Sequence, residues 1–78
     1  MKTIMKTKEG ITLIRDERTN RFYSNNPKAM VETIKENLHS SNPLIRLCTE
    51  YIIDMIKSAD GKIYRYRNPK PVIVKIVL

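Results

Sequence analysis

The stretch Asn42–Ser58, NPLIRLCTEYIIDMIKS, decides the fold. At about 100° per residue, Leu44, Leu47, Cys48, Tyr51, Ile52 and Met55 fall on one side of a helix. Ile45 and Ile56 widen that side to about half the circumference. Arg46, Glu50, Asp54 and Lys57 share the opposite side. So broad an apolar face predicts a core helix that a sheet or another helix must cover. Cys48 sits on that face and reads as a small buried hydrophobe. Ile53 alone lands in the polar sector, exposed or held against a second surface, which makes it a candidate protein-contact residue.

Upstream of this helix, Asn26-Pro27 opens a first helix that runs to about His39, with Met30, Val31, Ile34 and Leu38 as its apolar stripe. Asparagine accepts from the unpaired amides of the first turn, and proline at the first helical position loses nothing. Both helices open on Ser-x-Asn-Pro, at residues 24–27 and 40–43, a shared capping device rather than a repeat. The short linker between them predicts a helical hairpin. Lys2–Thr7 and Ile11–Asp16 read as a β-hairpin turning at Gly10, and Arg21–Ser24 as a short third strand. Asp60-Gly61 stops the second helix. Lys62–Arg67 then alternates strictly, with Ile63, Arg65 and Arg67 on one face and Lys62, Tyr64 and Tyr66 on the other. Pro69 and Pro71 break it before Val72–Leu78, a strand apolar on nearly both faces that is expected centrally in the sheet or at a subunit interface. The predicted class is α+β: a small two-layer sandwich in the order β-β-(β)-α-α-β-β, with a mostly antiparallel sheet and a helical hairpin on one face.

Seventy-eight residues make a single domain, 1–78, that buries only about 60% of its unfolded surface and has little room for a deep cleft. Its lone cysteine excludes an internal disulfide. The start, MKTIMKTKEG, lacks the apolar run of a signal peptide, and no segment reads as a membrane span, so a cytoplasmic protein is expected. The net charge is +7. Residues 27–60 carry four basic and five acidic groups, so the excess lies in the flanks, with six basic against three acidic in 1–26 and five basic against none in 61–78. Eleven isoleucines, nine lysines and no glutamine fit AT-biased coding, as in viral or mobile-element genes.

Positive charge confined to strand segments points to an anionic partner. Single-stranded nucleic acid is held by cations along its phosphates and by flat rings on which bases stack. Lys62, Tyr64, Arg65, Tyr66 and Arg67, continued by Lys70 and Lys75, supply both, and Arg15, Arg18 and Arg21 add cations from the first strands. The helices carry Glu32, Glu36, Glu50 and Asp54, which phosphates would repel, so a helix read into a DNA groove is disfavoured. Catalysis has a thin inventory. His39 is the sole histidine and lies in the helix linker, no cysteine–histidine cluster fits zinc, and Asp16 and Glu17 point to opposite faces of a strand. The sequence therefore predicts a small non-enzymatic protein, without cofactor or metal, binding DNA or RNA, single-stranded slightly favoured, through the cationic face of its sheet. The alternative is a protein-interaction module, such as a viral accessory factor or inhibitor, that meets an acidic partner or forms a homodimer.

Overall fold

In the computed structural model, which describes residues 1–66 and 72–73, both helices start as their capping residues dictate. The Asn26 Oδ1 accepts the Ala29 N–H at 3.2 Å, and Pro27 is the first residue of α1 (Pro27–Leu38). The Asn42 Oδ1 accepts the Leu44 N–H at 3.0 Å, and Pro43 opens α2 (Pro43–Ser58). The serine of each motif takes part too. Ser24 Oγ accepts the Asn26 N–H and Ser40 Oγ accepts the Asn42 N–H, each at 3.1 Å, so Ser-x-Asn-Pro is one hydrogen-bonded unit used twice. At the far end of α2 the Gly61 N–H reaches back to the Ile56 carbonyl at 2.9 Å, and Gly61 takes a φ of +71° that disfavours any side chain.

The strands are β1 (Lys2–Lys6), β2 (Thr12–Asp16), β3 (Arg21–Ser24) and β4 (Lys62–Arg65), with a two-residue β5 (Val72–Ile73) beside β4. The domain is α+β, two helices on a mixed sheet. β1 pairs antiparallel with β2, and β2 with β3, but β3 and β4 run parallel. The sheet is therefore mixed, three antiparallel pairs and one parallel, and the parallel pair has a topological cause. Neighbouring parallel strands need a crossover of a dozen or more residues, and here α1 and α2 together supply it. β5 pairs antiparallel with β4 and ends the strand order, so the described part of the last strand lies at the sheet edge and not at its centre.

One face of the sheet carries the core. Leu13, Phe22 and Ile63, each fully buried, meet Met30, Val31 and Ile34 of α1 and Ile53 and Ile56 of α2. Between Thr3 and Met5 the β1–β2 register slips by one residue. Such a bulge lets two successive side chains lean the same way, and Ile4 and Met5 both pack against this core.

The orientation of α2 overturns the helical-wheel reading. Its buried residues are Thr49, Ile53 and Ile56, and Ile53 is 0% exposed. Leu44, Leu47 and Tyr51 are 69%, 58% and 71% exposed, and Cys48 is exposed as well. Ile53 is therefore a core residue and not a protein-contact residue, and Cys48 is not buried. The cause is Thr49. Its hydroxyl donates to the Ile45 carbonyl at 2.6 Å, one turn back, so this nominally polar side chain costs little to bury and centres the core face. A wheel that scores threonine as polar turns the helix the wrong way.

Candidate nucleic-acid interface

Among the described residues, no helix packs on the opposite face of the sheet. Alternation along each strand puts Phe22 and Ile63 into the core and turns their neighbours Arg21, Tyr23, Lys62 and Tyr64 to this open side. Tyr23 and Tyr64 are direct cross-strand partners, with ring centroids 5.7 Å apart and planes tilted by 41°. Tyr66, just beyond β4, lies 6.4 Å from Tyr23 with planes only 20° apart. Three rings thus gather into one aromatic patch, in which Tyr66 is 42% exposed and Tyr23 and Tyr64 are half-buried.

Hydrogen bonds hold the patch at its margins. The Tyr64 hydroxyl donates to Asp60 Oδ2 at 2.6 Å, and the other Asp60 oxygen accepts the Lys62 N–H at 3.1 Å. The Tyr66 hydroxyl and the Thr12 Oγ1 share a hydrogen bond of 2.9 Å across to β2. The Arg21 guanidinium stands 5.0 Å from the centroid of the Tyr64 ring, within cation–π range. The hydrogen bond to Asp60 holds the Tyr64 phenol above the usual range, with partial desolvation and the Asp60 charge adding to it, while Arg21 acts in the opposite sense. Tyr64 is thereby a neutral ring with a fixed tilt, suited to packing against a flat ligand and unsuited to act as a base at neutral pH.

The cations expected at this site divide. Arg21 and Lys62 lie on the tyrosine side, and Lys6, cross-strand from Thr12, joins them at the far edge. Arg15 does not. It is cross-strand from Phe22 on the helix side, where its Nε and Nη2 both donate to Asn20 Oδ1, at 3.1 and 2.8 Å. Asn20 itself adopts a left-handed φ of +54° in the β2–β3 turn. Arg18 lies in that turn, its backbone N–H bound to Asp16 Oδ1. Arg65 is exposed and cross-strand from buried Ser24, hence on the reverse of the tyrosines at the end of β4. Arg67, Lys70 and Lys75 lie outside the described residues. Asp16 and Asp60 also border the open face, so its charge is only mildly positive and the rings are its dominant feature.

Sequence reasoning missed Tyr23 and Asp60. Tyr23 shares the alternation of Arg21 around apolar Phe22, a signal as plain as that in β4, but only the parallel pairing brings it to Tyr64. Asp60 precedes a helix-ending glycine, where an aspartate normally reads as turn chemistry. Among the described residues no three histidine, cysteine, aspartate or glutamate side chains cluster to hold a metal ion, and no helix is long and apolar enough to cross a membrane. In comparisons with protein-family models, curated proteins and solved structures, nothing matches this chain.

Proposed function

We propose that this protein is a non-enzymatic binder of single-stranded nucleic acid, with the open face of the sheet as its reading surface. The carrying observation is the patch of Tyr23, Tyr64 and Tyr66 on the sheet face opposite both described helices, with Arg21 against one ring. Exposed rings on a sheet accept unpaired bases by stacking, each contributing about 1 to 3 kcal/mol, with little regard to base identity. Arg21, Lys62 and Lys6 contact phosphates beside the rings, and the overall charge of +7 draws the polyanion in. Duplexes offer stacked bases that a flat aromatic face cannot reach, so the same surface discriminates against them.

The test is a fluorescence-anisotropy titration with labelled single-stranded and duplex DNA and RNA of mixed sequence, at low and near-physiological salt. The expected result is tighter binding of single strands, weakening as salt rises, and loss of that preference in Tyr66→Ala. Equal affinity for duplex and single strands, or no binding at either salt, refutes the proposal.

A further inference from the structure

The Tyr66 side chain crosses the sheet. Its backbone follows β4, its hydroxyl shares the 2.9 Å hydrogen bond with Thr12 Oγ1 on β2, and β3 is the strand between the two. Adjacent strands stand about 4.8 Å apart, so the ring spans β3 lengthwise, along the sheet and not up into solvent. Its plane lies within 20° of that of Tyr23. An unrestrained tyrosine at a strand end samples several rotamers, and a ligand that stacks on it must meet the cost of ordering it. Here the hydroxyl pair fixes the far end of the side chain.

Thr12 is held in its turn by Asn25. β3 ends at Ser24, where the chain leaves toward the cap of α1, and the next rung of the β2–β3 ladder is made by a side chain. Asn25 Oδ1 accepts the Thr12 N–H at 3.1 Å, and Asn25 Nδ2 donates to the Gly10 carbonyl at 2.9 Å. A carboxamide carries the donor and acceptor of a peptide group, so it extends the sheet by one step. On its other side Thr12 stands in register with Lys6 of β1. The hydroxyl that receives Tyr66 is therefore mounted on backbone fixed from both neighbours.

We propose that Thr12 is the positioning residue of the stacking face: with Asn25 behind it, its hydroxyl holds Tyr66 flat across β3, so that the ring offers one preformed side to a base before any ligand arrives. The inference rests on the nucleic-acid reading given above and adds how the ring is prepared and how a nucleotide lies on it. A ring laid along the sheet accepts one base on its outer side and does not admit a base beneath it. The Thr12 end of the ring lies beside Lys6, so the phosphate of the stacked nucleotide is met at that end. In the free protein the Tyr66–Thr12 bond is exposed to water. A base covering the ring shields the bond and strengthens it, which couples binding to the pinned geometry.

Thr12→Val tests this, because it keeps the branched shape and the backbone N–H to Asn25 and removes only the hydroxyl. Nuclear magnetic resonance of the ligand-free full chain gives the first readout. Overhauser contacts from the Tyr66 ring to residue 12 and to the Tyr23 ring are expected in the wild type and in Thr12→Ser, and should fade in Thr12→Val. Titration with a labelled single-stranded oligonucleotide of mixed sequence gives the second. Thr12→Val is expected to lose about two- to tenfold in affinity, the worth of one hydrogen bond, with Thr12→Ser restoring it. The salt dependence should not change, since no phosphate contact is removed. Tyr66→Phe should lose as much as Thr12→Val, and the double variant no more than either, because both break the same bond. Ring contacts that persist in Thr12→Val overturn the proposal, and so does an affinity that stays unchanged when those contacts are lost. A wild-type chain that binds no nucleic acid refutes the proposed function instead, and the ring contacts alone then decide whether Thr12 holds Tyr66.

Discussion

Replacing Ile53 and Leu47 by alanine, one at a time, measures which way α2 faces. Ile53 is wholly enclosed by the core, so Ile53→Ala removes buried carbons and leaves a cavity in that cluster. Such truncations cost about 2 to 5 kcal/mol. Leu47 is 58% exposed, and its truncation should stay within about 0.5 kcal/mol. A domain of 78 residues has roughly 4 to 12 kcal/mol of stability in total, so the first change consumes a large fraction of it. With a urea slope of about 1 kcal/mol per molar, a loss near 3 kcal/mol lowers the unfolding midpoint by about 3 M, and the second change is barely visible. The assay is urea titration followed by far-ultraviolet circular dichroism, at a concentration low enough that self-association adds nothing. If Leu47→Ala lowers the midpoint as far as Ile53→Ala, α2 is rotated relative to the description given above, and both the core and the outer stripe must be redrawn.

Three further outcomes are expected. Tyr66→Ala should weaken single-strand binding by about 5- to 150-fold, the equivalent of one stacked base, whereas Arg21→Ala should chiefly flatten the salt dependence, by about 0.7 in the log–log slope. Phenolate absorbance against pH should show Tyr64 ionising above the ordinary phenol range, and Asp60→Asn should return it to that range. Because folding raises that pKa, its contribution to stability is fully present below the ordinary phenol value and disappears as pH climbs past the raised one. Asn26→Ala should cost about 1 kcal/mol by removing the cap of α1, and Asn42→Ala a similar amount at α2, both readable as shifts in melting temperature.

Elements whose boundaries depend on local chemistry were legible in the sequence. Proline and asparagine fix the helix starts, Asp60-Gly61 ends α2, and two-residue alternation assigns Ile63 to the core and Tyr64 to the other face. What depends on distant pairing was not. Nothing local to Arg21–Ser24 says that its next neighbour is Lys62–Arg65 running parallel, so Tyr23 could not be joined to Tyr64 and Tyr66. The facing of α2 was misread for a different reason. Leu44, Leu47 and Tyr51 outweigh Thr49 on any scale of hydrophobicity, but burial is decided by whether a side chain's polar atom finds a partner, and the Thr49 hydroxyl finds one on its own helix. The cation set was half legible. Strand parity places Arg21 and Lys62 beside the rings and Arg65 and Arg15 behind them, where Asn20 holds the Arg15 guanidinium.

The side-by-side parallel pairing of β3 and β4 also dictates when the ring cluster can exist. Tyr23 and Tyr64 are 41 positions apart in the sequence, and every residue of both helices lies between them. Contacts that span so much chain form late, after the loop-closure entropy of the crossover has been met. During synthesis the amino-terminal hairpin and α1 can emerge and gain structure while the surface that would stack bases is still one ring short of a pair. A chain released before its fourth strand would therefore have no platform at all, so binding through the proposed face would double as a readout of completed folding.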